Sequence, residues 1–265
     1  MLLHLAGRRI HYDLAGPEEA PVVCFAHALA ADSGMWAEQV PSLLAQGWRV
    51  LRVDMRGHGG SAPPAPDVTL DELAGDIVAV MDARALERAH VVGLSIGGMI
   101  AQALALRHRT KVASLMLCES PPASLPDVTR IWAPRIAAVR AAASCEPIAD
   151  ATMERWLTPS FKAAHPDRWK QIRETVAATD PAGYLGGIHA LSNFDFTREL
   201  PSLRVPAMAL YGEDDIASSA EENERLAALI PGGRFVRFPG ARHLPNVEAP
   251  ERFNRILLDW LGARR

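Results

Sequence analysis

The chain has 265 residues, 49% of them hydrophobic and 22% charged, with a formal net charge of -3. This length suits one large domain, or a core with an insertion, and the weakly acidic balance offers no basic face to nucleic acid. No apolar run is long enough to cross a bilayer, and "MLLHLAGRRIHYDLAG" lacks the basic-then-apolar order of a signal peptide, so a cytoplasmic, enzyme-sized protein without a membrane partner is expected.

In chain order, "LLHLAGRRIHYDLAG" alternates around Gly7-Arg8 and predicts an antiparallel hairpin at a sheet edge. The apolar run "PVVCFAH" ends at His27, and a helix is expected from Met35 to Ala45. "WRVLRVDM" ends near Asp54 and precedes a helix from Leu70 to Ala83. "AHVVGLS" leads into a helix after Ser95, and "KVASLMLC" ends at Cys118. Short apolar runs separated by helices predict an α/β fold, a mostly parallel sheet with helices on both faces.

The rhythm then breaks. From Pro121 to about Leu200 no buried strand is evident, and "RIWAPRIAAVRAAA", "IADATMERWL" and "PDRWKQIRETVAA" are helical by period. Strands return with "VPAMALYG" and "GRFVRFPG", and "APERFNRILLDWLG" closes the chain as a helix. The expected organisation is a core of residues 1–120 and 201–265, with a helical cap of residues 121–200 inserted in it. Such a cap lies over the carboxyl ends of the strands, where open α/β sheets bind ligands.

Gly93, Leu94, Ser95, Ile96 and Gly97 form a Gly-x-Ser-x-Gly run between an apolar strand and a helix. A glycine-rich turn with an idle serine has the same composition; the strand-to-helix position points to a nucleophile, since the tight turn needs small neighbours. The helix N-terminus beneath favours developing negative charge. A serine hydroxyl also needs a base. His243 in "FPGARHLPNVEAPERF" follows the last strand, whereas His4, His11, His90, His108 and His165 read as surface residues. Two acids can orient His243: Asp215 in "LYGEDD", and Glu119 at the end of "SLMLC". Ser, Asp, His is the chain order expected for this kind of fold. Oxyanion donors are expected from the backbone of Ile96 and of Leu29, where small Ala28 and Ala30 let a substrate approach.

The three cysteines, Cys24, Cys118 and Cys145, fit neither a zinc pattern nor a disulfide framework, and Cys24 and Cys118 read as buried thiols. No metal or cofactor is expected.

Together "HALAADSGMW", "RVLRVDMRGHGGS", "HVVGLSIGGM", "WAPRIAAVR", "GYLGGIHAL", "GEDD" and "RHLPNVEAPERF" resemble the α/β-hydrolase superfamily, and within it the 3-oxoadipate enol-lactonases. The resemblance spans almost the whole chain. It implies that Ser95, Asp215 and His243 carry catalysis and that the segment after Pro121 is a helical lid. It also implies a structural role for Asp54, Arg56 and His58 in "DMRGHG". The Asp215 turn matches the family better than Glu119, although a glutamate after this strand resembles the catalytic acid of the zearalenone-type lactonases.

Two positions depart from the enol-lactonase pattern. His27-Ala28-Leu29-Ala30 replaces an Asn-Ser-Leu-Gly-like loop, and Glu119 replaces an asparagine. A charged Glu119 is expected to oppose an anionic substrate. Trp132 and Arg135 lie three residues apart and share a helix face, and the resemblance puts that helix over the pocket. Arg135 is then expected to clamp a substrate carboxylate, with Trp132 walling the apolar part. The expected activity is a serine hydrolase cleaving a lactone or carboxylic ester through an acyl-enzyme. Carbon–carbon bond hydrolysis and cofactor-free perhydrolysis use the same residues. A non-catalytic receptor on this fold is the reading from another class.

Overall fold

In the computed structural model of the chain, residues 1–5, 7–125 and 127–264 are described, without the side chain of Thr129. The strands are β1 (Leu2–Leu5), β2 (Arg8–Ala15), β3 (Val22–Ala26), β4 (Arg49–Val53), β5 (Ala89–Leu94), β6 (Val112–Cys118), β7 (Ala207–Gly212) and β8 (Arg234–Phe238). They form one sheet in the order β1-β2-β4-β3-β5-β6-β7-β8. β1 pairs antiparallel with β2, and β2 with β4, which gives the expected edge hairpin. All later pairings are parallel. Every residue of β3, β5 and β7 is buried. Unbroken apolar runs are what parallel strands need when helices cover both faces.

Helices α1 (Val40–Ala45), α2 (Leu70–Ala83) and α3 (Ile96–Arg107) belong to the first half. Thr69 and Glu72 close a reciprocal capping box that starts α2 at its predicted residue. α3 is apolar around almost its whole circumference and is buried against α2, β3, β5 and β6. The helix expected from Met35 to Ala45 is two pieces: a 3-10 turn at Ser33–Trp36, capped by Asp32, and then α1. Pro41 lacks the N–H that a continuous helix needs and sits in the first turn of α1 instead.

Between β6 and β7 lie α4 (Val128–Ala142), α5 (Glu146–Trp156), α6 (Pro159–Ala164), α7 (Pro166–Ala178) and α8 (Pro181–Ser192). α5 packs on α7, and α4 on α5 and α8. α9 (Ala220–Leu229), α10 (Pro245–Glu248) and the amphipathic α11 (Pro250–Gly262) complete the order. Among the described residues no helix is long and apolar enough to cross a membrane.

Two histidines read as surface residues are not. His90 is buried in β5, with Nδ1 2.8 Å from Ser114 Oγ and its ring edge-on to Trp48. Burial, with Arg88 nearby, brings it down to about 4, so it stays neutral. His11 is half-buried, with Nδ1 2.7 Å from Asp54 Oδ2. Strand pairing across the sheet, invisible in local sequence, supplies both partners.

Candidate active site

Ser95 joins β5 to α3 with φ 56° and ψ -121°. A non-glycine residue there costs roughly 1–3 kcal/mol and persists only if its surroundings enforce it. They do: the Ser95 N–H donates to Cys118 O at 2.8 Å, and Ser95 O accepts from the Gly98 N–H and Ser120 Oγ. A side chain at Gly93 would lie 2.2 Å from Gly97 O, and one at Gly97 2.2 Å from Ala26 O. The flanking glycines therefore answer to close backbone approach, and Ser95 is left lining a cavity.

His243 lies between β8 and α10 and lines the same cavity. Its Nδ1 is 2.9 Å from Asp215 Oδ2. Trp156 of α5 stacks on the ring, with centroids 6.4 Å apart and planes 22° apart. Glu248 holds the loop by accepting from the Arg242 and Thr158 N–H groups, each at 2.5 Å. Burial alone would raise the Asp215 carboxyl. His243, the Ser218 hydroxyl and the Ala217 N–H outweigh it and bring the group down to about 2. An ionised Asp215 makes Nδ1 the donor and leaves Nε2 to accept a proton. Among the described contacts no hydrogen bond joins His243 to Ser95 Oγ. Such bonds are commonly long before substrate binds.

Glu119 also sits beside Asp215. It has φ 51° and is 1% exposed. The metal-ligand-type atoms of Glu119, Asp215 and His243 all lie within 4.8 Å of one another. Its Oε1 accepts from the Gly212 N–H at 2.5 Å, and Oε2 is 3.0 Å from Ser218 Oγ. The hydrogen bond to His243 belongs to Asp215. Burial, and then the charge of Asp215, push the Glu119 carboxyl well above its ordinary value. This upward shift weakens the repulsion expected of it toward an anionic substrate.

The loop after β3 is held by two histidines. The His27 ring accepts from the Met55 N–H at 2.8 Å, and the His58 ring from the Ala30 N–H at 3.0 Å. Ala30 has φ 64°. The Ala28 N–H points to Met35 Sδ. These contacts engage the N–H groups on either side of Leu29, while Leu29 itself lines the cavity and its N–H has no described acceptor. Ile96 is the first residue of α3, so its N–H has no intrahelical acceptor, and its side chain is packed in the core.

Burial, then the neighbouring His27, bring His58 down to about 3. In the unfolded chain it titrates near 6.5. Between these values the unfolded state binds more protons, so stability is full above about pH 6.5 and declines as pH falls toward about 3. His58→Gln is expected to flatten that part of a Tm-against-pH curve; an unchanged slope would show that other groups set it.

The cavity is about 250 Å³. Residues of α4, α5 and α8 line it together with Ser95 and His243: Trp132, Arg135, Thr152, Arg155 and Tyr184. The Arg135 guanidinium lies 4.7 Å from the Trp132 ring centre, and Tyr184 meets that ring edge-on. Arg155 Nη2 donates to Thr152 Oγ1. Burial, then the like charge of Arg135, lower Arg155 to about 10. Among the described residues neither arginine forms an ion pair, and the buried Tyr184 hydroxyl has no hydrogen-bond partner. The remaining wall mixes apolar side chains, including Leu125, Val128 and Phe194, with polar ones, Ser124, Ser219, Glu222 and Asn223, and exposed Ile131 and Ile216 lie alongside.

Arg155, Tyr184 and Ser218 are absent from the residues singled out by sequence. Thr152, Arg155 and Trp156 follow helical i, i+3, i+4 spacing and so share a face, a signal present in "TMERW". Nothing local marks Tyr184 or Ser218; only the packing of their elements brings them to the site.

Residues 21–250 match the family described as having the alpha/beta hydrolase fold. The chain belongs to the α/β-hydrolase family. Relatives of this α/β hydrolase include 3-oxoadipate enol-lactonase 1 of Acinetobacter baylyi, 30% identical over 97% of this chain and 94% of that one. A bifunctional esterase/perhydrolase of Acinetobacter calcoaceticus is also 30% identical, over 96% of each. Among solved structures, the enol-lactonase from Burkholderia xenovorans LB400 superposes with a TM-score of 0.93 at 32% identity, covering 99% of this chain and 100% of that one. These relatives make the α/β hydrolase a hydrolase by activity as well as by fold, with a small molecule as its substrate.

Proposed function

We propose that this hydrolase cleaves a lactone or carboxylic ester bearing a free carboxylate, through an acyl-enzyme on Ser95. The observation that carries this reading is the His243–Asp215 pair at 2.9 Å, lining with Ser95 a cavity that also holds two arginines without an ion pair among the described residues. Ser95 Oγ attacks the carbonyl carbon while His243 Nε2 takes its proton. The Leu29 and Ile96 N–H groups hold the oxyanion. The imidazolium then protonates the leaving oxygen as its bond to carbon breaks. Water, deprotonated by His243, releases the acid and restores Ser95. Asp215 keeps the imidazole in the required tautomer and stabilises the imidazolium. If the substrate is an enol-lactone, as in the enol-lactonase relatives, the released enol tautomerises to a ketone.

Residues 121–200 act in this proposal as a cap on a core of residues 1–120 and 201–265. Arg135 and Arg155 bind the substrate carboxylate, the Tyr184 hydroxyl adds a donor, and Trp132 walls the apolar stem. A charged hydrogen bond is worth about 1.5–3 kcal/mol, or roughly 10- to 150-fold in kcat/KM. Arg135→Ala and Arg155→Ala are each expected to cost that much on an acidic lactone and little on a neutral ester of similar size. Equal losses on both substrates would make the arginines packing residues and the substrate neutral, a reading that the apolar side chains of the wall and exposed Ile131 and Ile216 favour.

A further inference from the structure

The Ser218 hydroxyl stands between two carboxyl groups, 2.6 Å from Asp215 Oδ2 and 3.0 Å from Glu119 Oε2. A hydroxyl has one proton, so it donates to only one of them. Asp215 is the ionised partner. Its Oδ1 accepts from the Ala217 N–H, and its Oδ2 from the Ser218 N–H and His243 Nδ1. N–H donors on both oxygens, and the imidazole beside it, favour Asp215 as the anion. The Ser218 hydroxyl proton therefore goes to Asp215. Glu119 Oε2 then faces an oxygen lone pair, and two oxygens 3.0 Å apart need a proton between them. Glu119 Oε1 is already an acceptor, bound to the Gly212 N–H.

We propose that Glu119 is a neutral carboxylic acid that donates through Ser218 to Asp215, a hydrogen-bond relay positioning the acid that orients His243. The order is Glu119 O–H to Ser218 Oγ, Ser218 O–H to Asp215 Oδ2, and His243 Nδ1–H to the same Oδ2. No proton leaves Glu119 during turnover. Two carboxyls so close share a single negative charge, as burial requires. Asn223 supports the arrangement from α9, with Nδ2 3.4 Å from Ser218 Oγ and Oδ1 accepting the Ser120 N–H. The other titratable groups facing the pair are Cys118 on the strand of Glu119, Tyr211 of β7, whose hydroxyl donates to Asp215 O, and His243.

The relay rests on the serine-hydrolase reading, but the charge of Glu119 is testable without turnover. A carboxyl raised by the fold adds stability at low pH and loses it as pH climbs past the unfolded value of about 4.3. Glu119→Gln, neutral at every pH, is therefore expected to gain Tm over the wild type progressively above that pH. Infrared spectra at neutral pH should show a protonated-carboxyl band in the wild type that Glu119→Gln lacks.

Kinetics test the relay itself. Glu119→Met removes the donor and should lower kcat roughly 10-fold. It should also raise the apparent pKa of kcat/KM, because a less stabilised Asp215 favours the imidazolium. Ser218→Ala should do the same, and Glu119→Gln, which keeps a donor and an acceptor, should restore most of kcat and the wild-type profile. An ionised Glu119 predicts the opposite: no growing Tm gap, no protonated-carboxyl band, and a Glu119→Gln profile shifted down by roughly one unit. That result overturns the proposal, as does wild-type behaviour of Glu119→Met. Absence of turnover on every lactone and ester would instead defeat the hydrolase reading, with the Tm and infrared results still deciding the charge of Glu119.

Discussion

Ser95→Ala is expected to reduce hydrolysis by on the order of 10⁴- to 10⁶-fold in kcat while leaving the fold intact. The substitution removes only the hydroxyl oxygen. The bonds that hold the turn are made by the Ser95 backbone, to Cys118, Gly98 and Ser120, and survive it. Alanine tolerates φ 56° no worse than serine does, so Tm should hardly move. A fluorophosphonate probe should add its mass to the wild type and not to the variant. Turnover retained in a folded Ser95→Ala protein would remove this serine from the mechanism. Tight ligand binding by a wild type that neither turns over nor labels would favour a receptor.

Asp215→Asn is expected to lower kcat by about 10⁴-fold. The amide has nearly the same shape, but its NH₂ cannot accept from His243 Nδ1–H. If the amide oxygen keeps the Oδ1 contact with the Ala217 N–H, the NH₂ takes the Oδ2 position, faces the ring and forces the proton onto Nε2, where it blocks Ser95. Stability should also change with pH. Asp215 is depressed to about 2 in the fold and titrates near 3.9 unfolded. It therefore stabilises the protein above about pH 3.9, and this contribution is lost as pH falls toward about 2. Asp215→Asn should lack that acid-range component in thermal melts. Glu119→Gln should have a far smaller effect on kcat than Asp215→Asn. The reverse ranking would transfer the orienting role to Glu119.

The two carboxyls mark where local reading stopped. Both follow parallel strands, β6 and β7, and both lie at the same edge of the sheet. Nothing in "LCES" or "YGEDD" says which one His243 meets. That is decided by how far the loop after β8 reaches, and Trp156, stacked on the ring, and Thr158, whose N–H donates to Glu248, fix its position from residues distant in sequence. The surroundings of Glu119 are hidden from local sequence for a similar reason. A carboxylate in a turn is usually solvated, whereas here the Gly212 backbone and the Asp215 loop close over it.

Sequence by itself determined the order of strands and helices, because buried parallel strands must be apolar throughout and amphipathic helices must repeat near 3.6 residues. It determined the Ser95 turn, because Gly93 and Gly97 stand where a Cβ has no room. Tertiary structure alone decided the rest. It split the helix expected at Met35 to Ala45, buried His90 against Trp48 and Ser114, and brought Arg155 and Tyr184 to the cavity that Ser95 lines. It also set Ser218 between Glu119 and Asp215. The physical reason is one of range. Backbone sterics and side-chain period act over a few residues and leave their mark in short windows. Desolvation, charge pairing and hydrogen-bond donation depend on which groups end up within a few ångströms, and here those groups come from segments about a hundred residues apart.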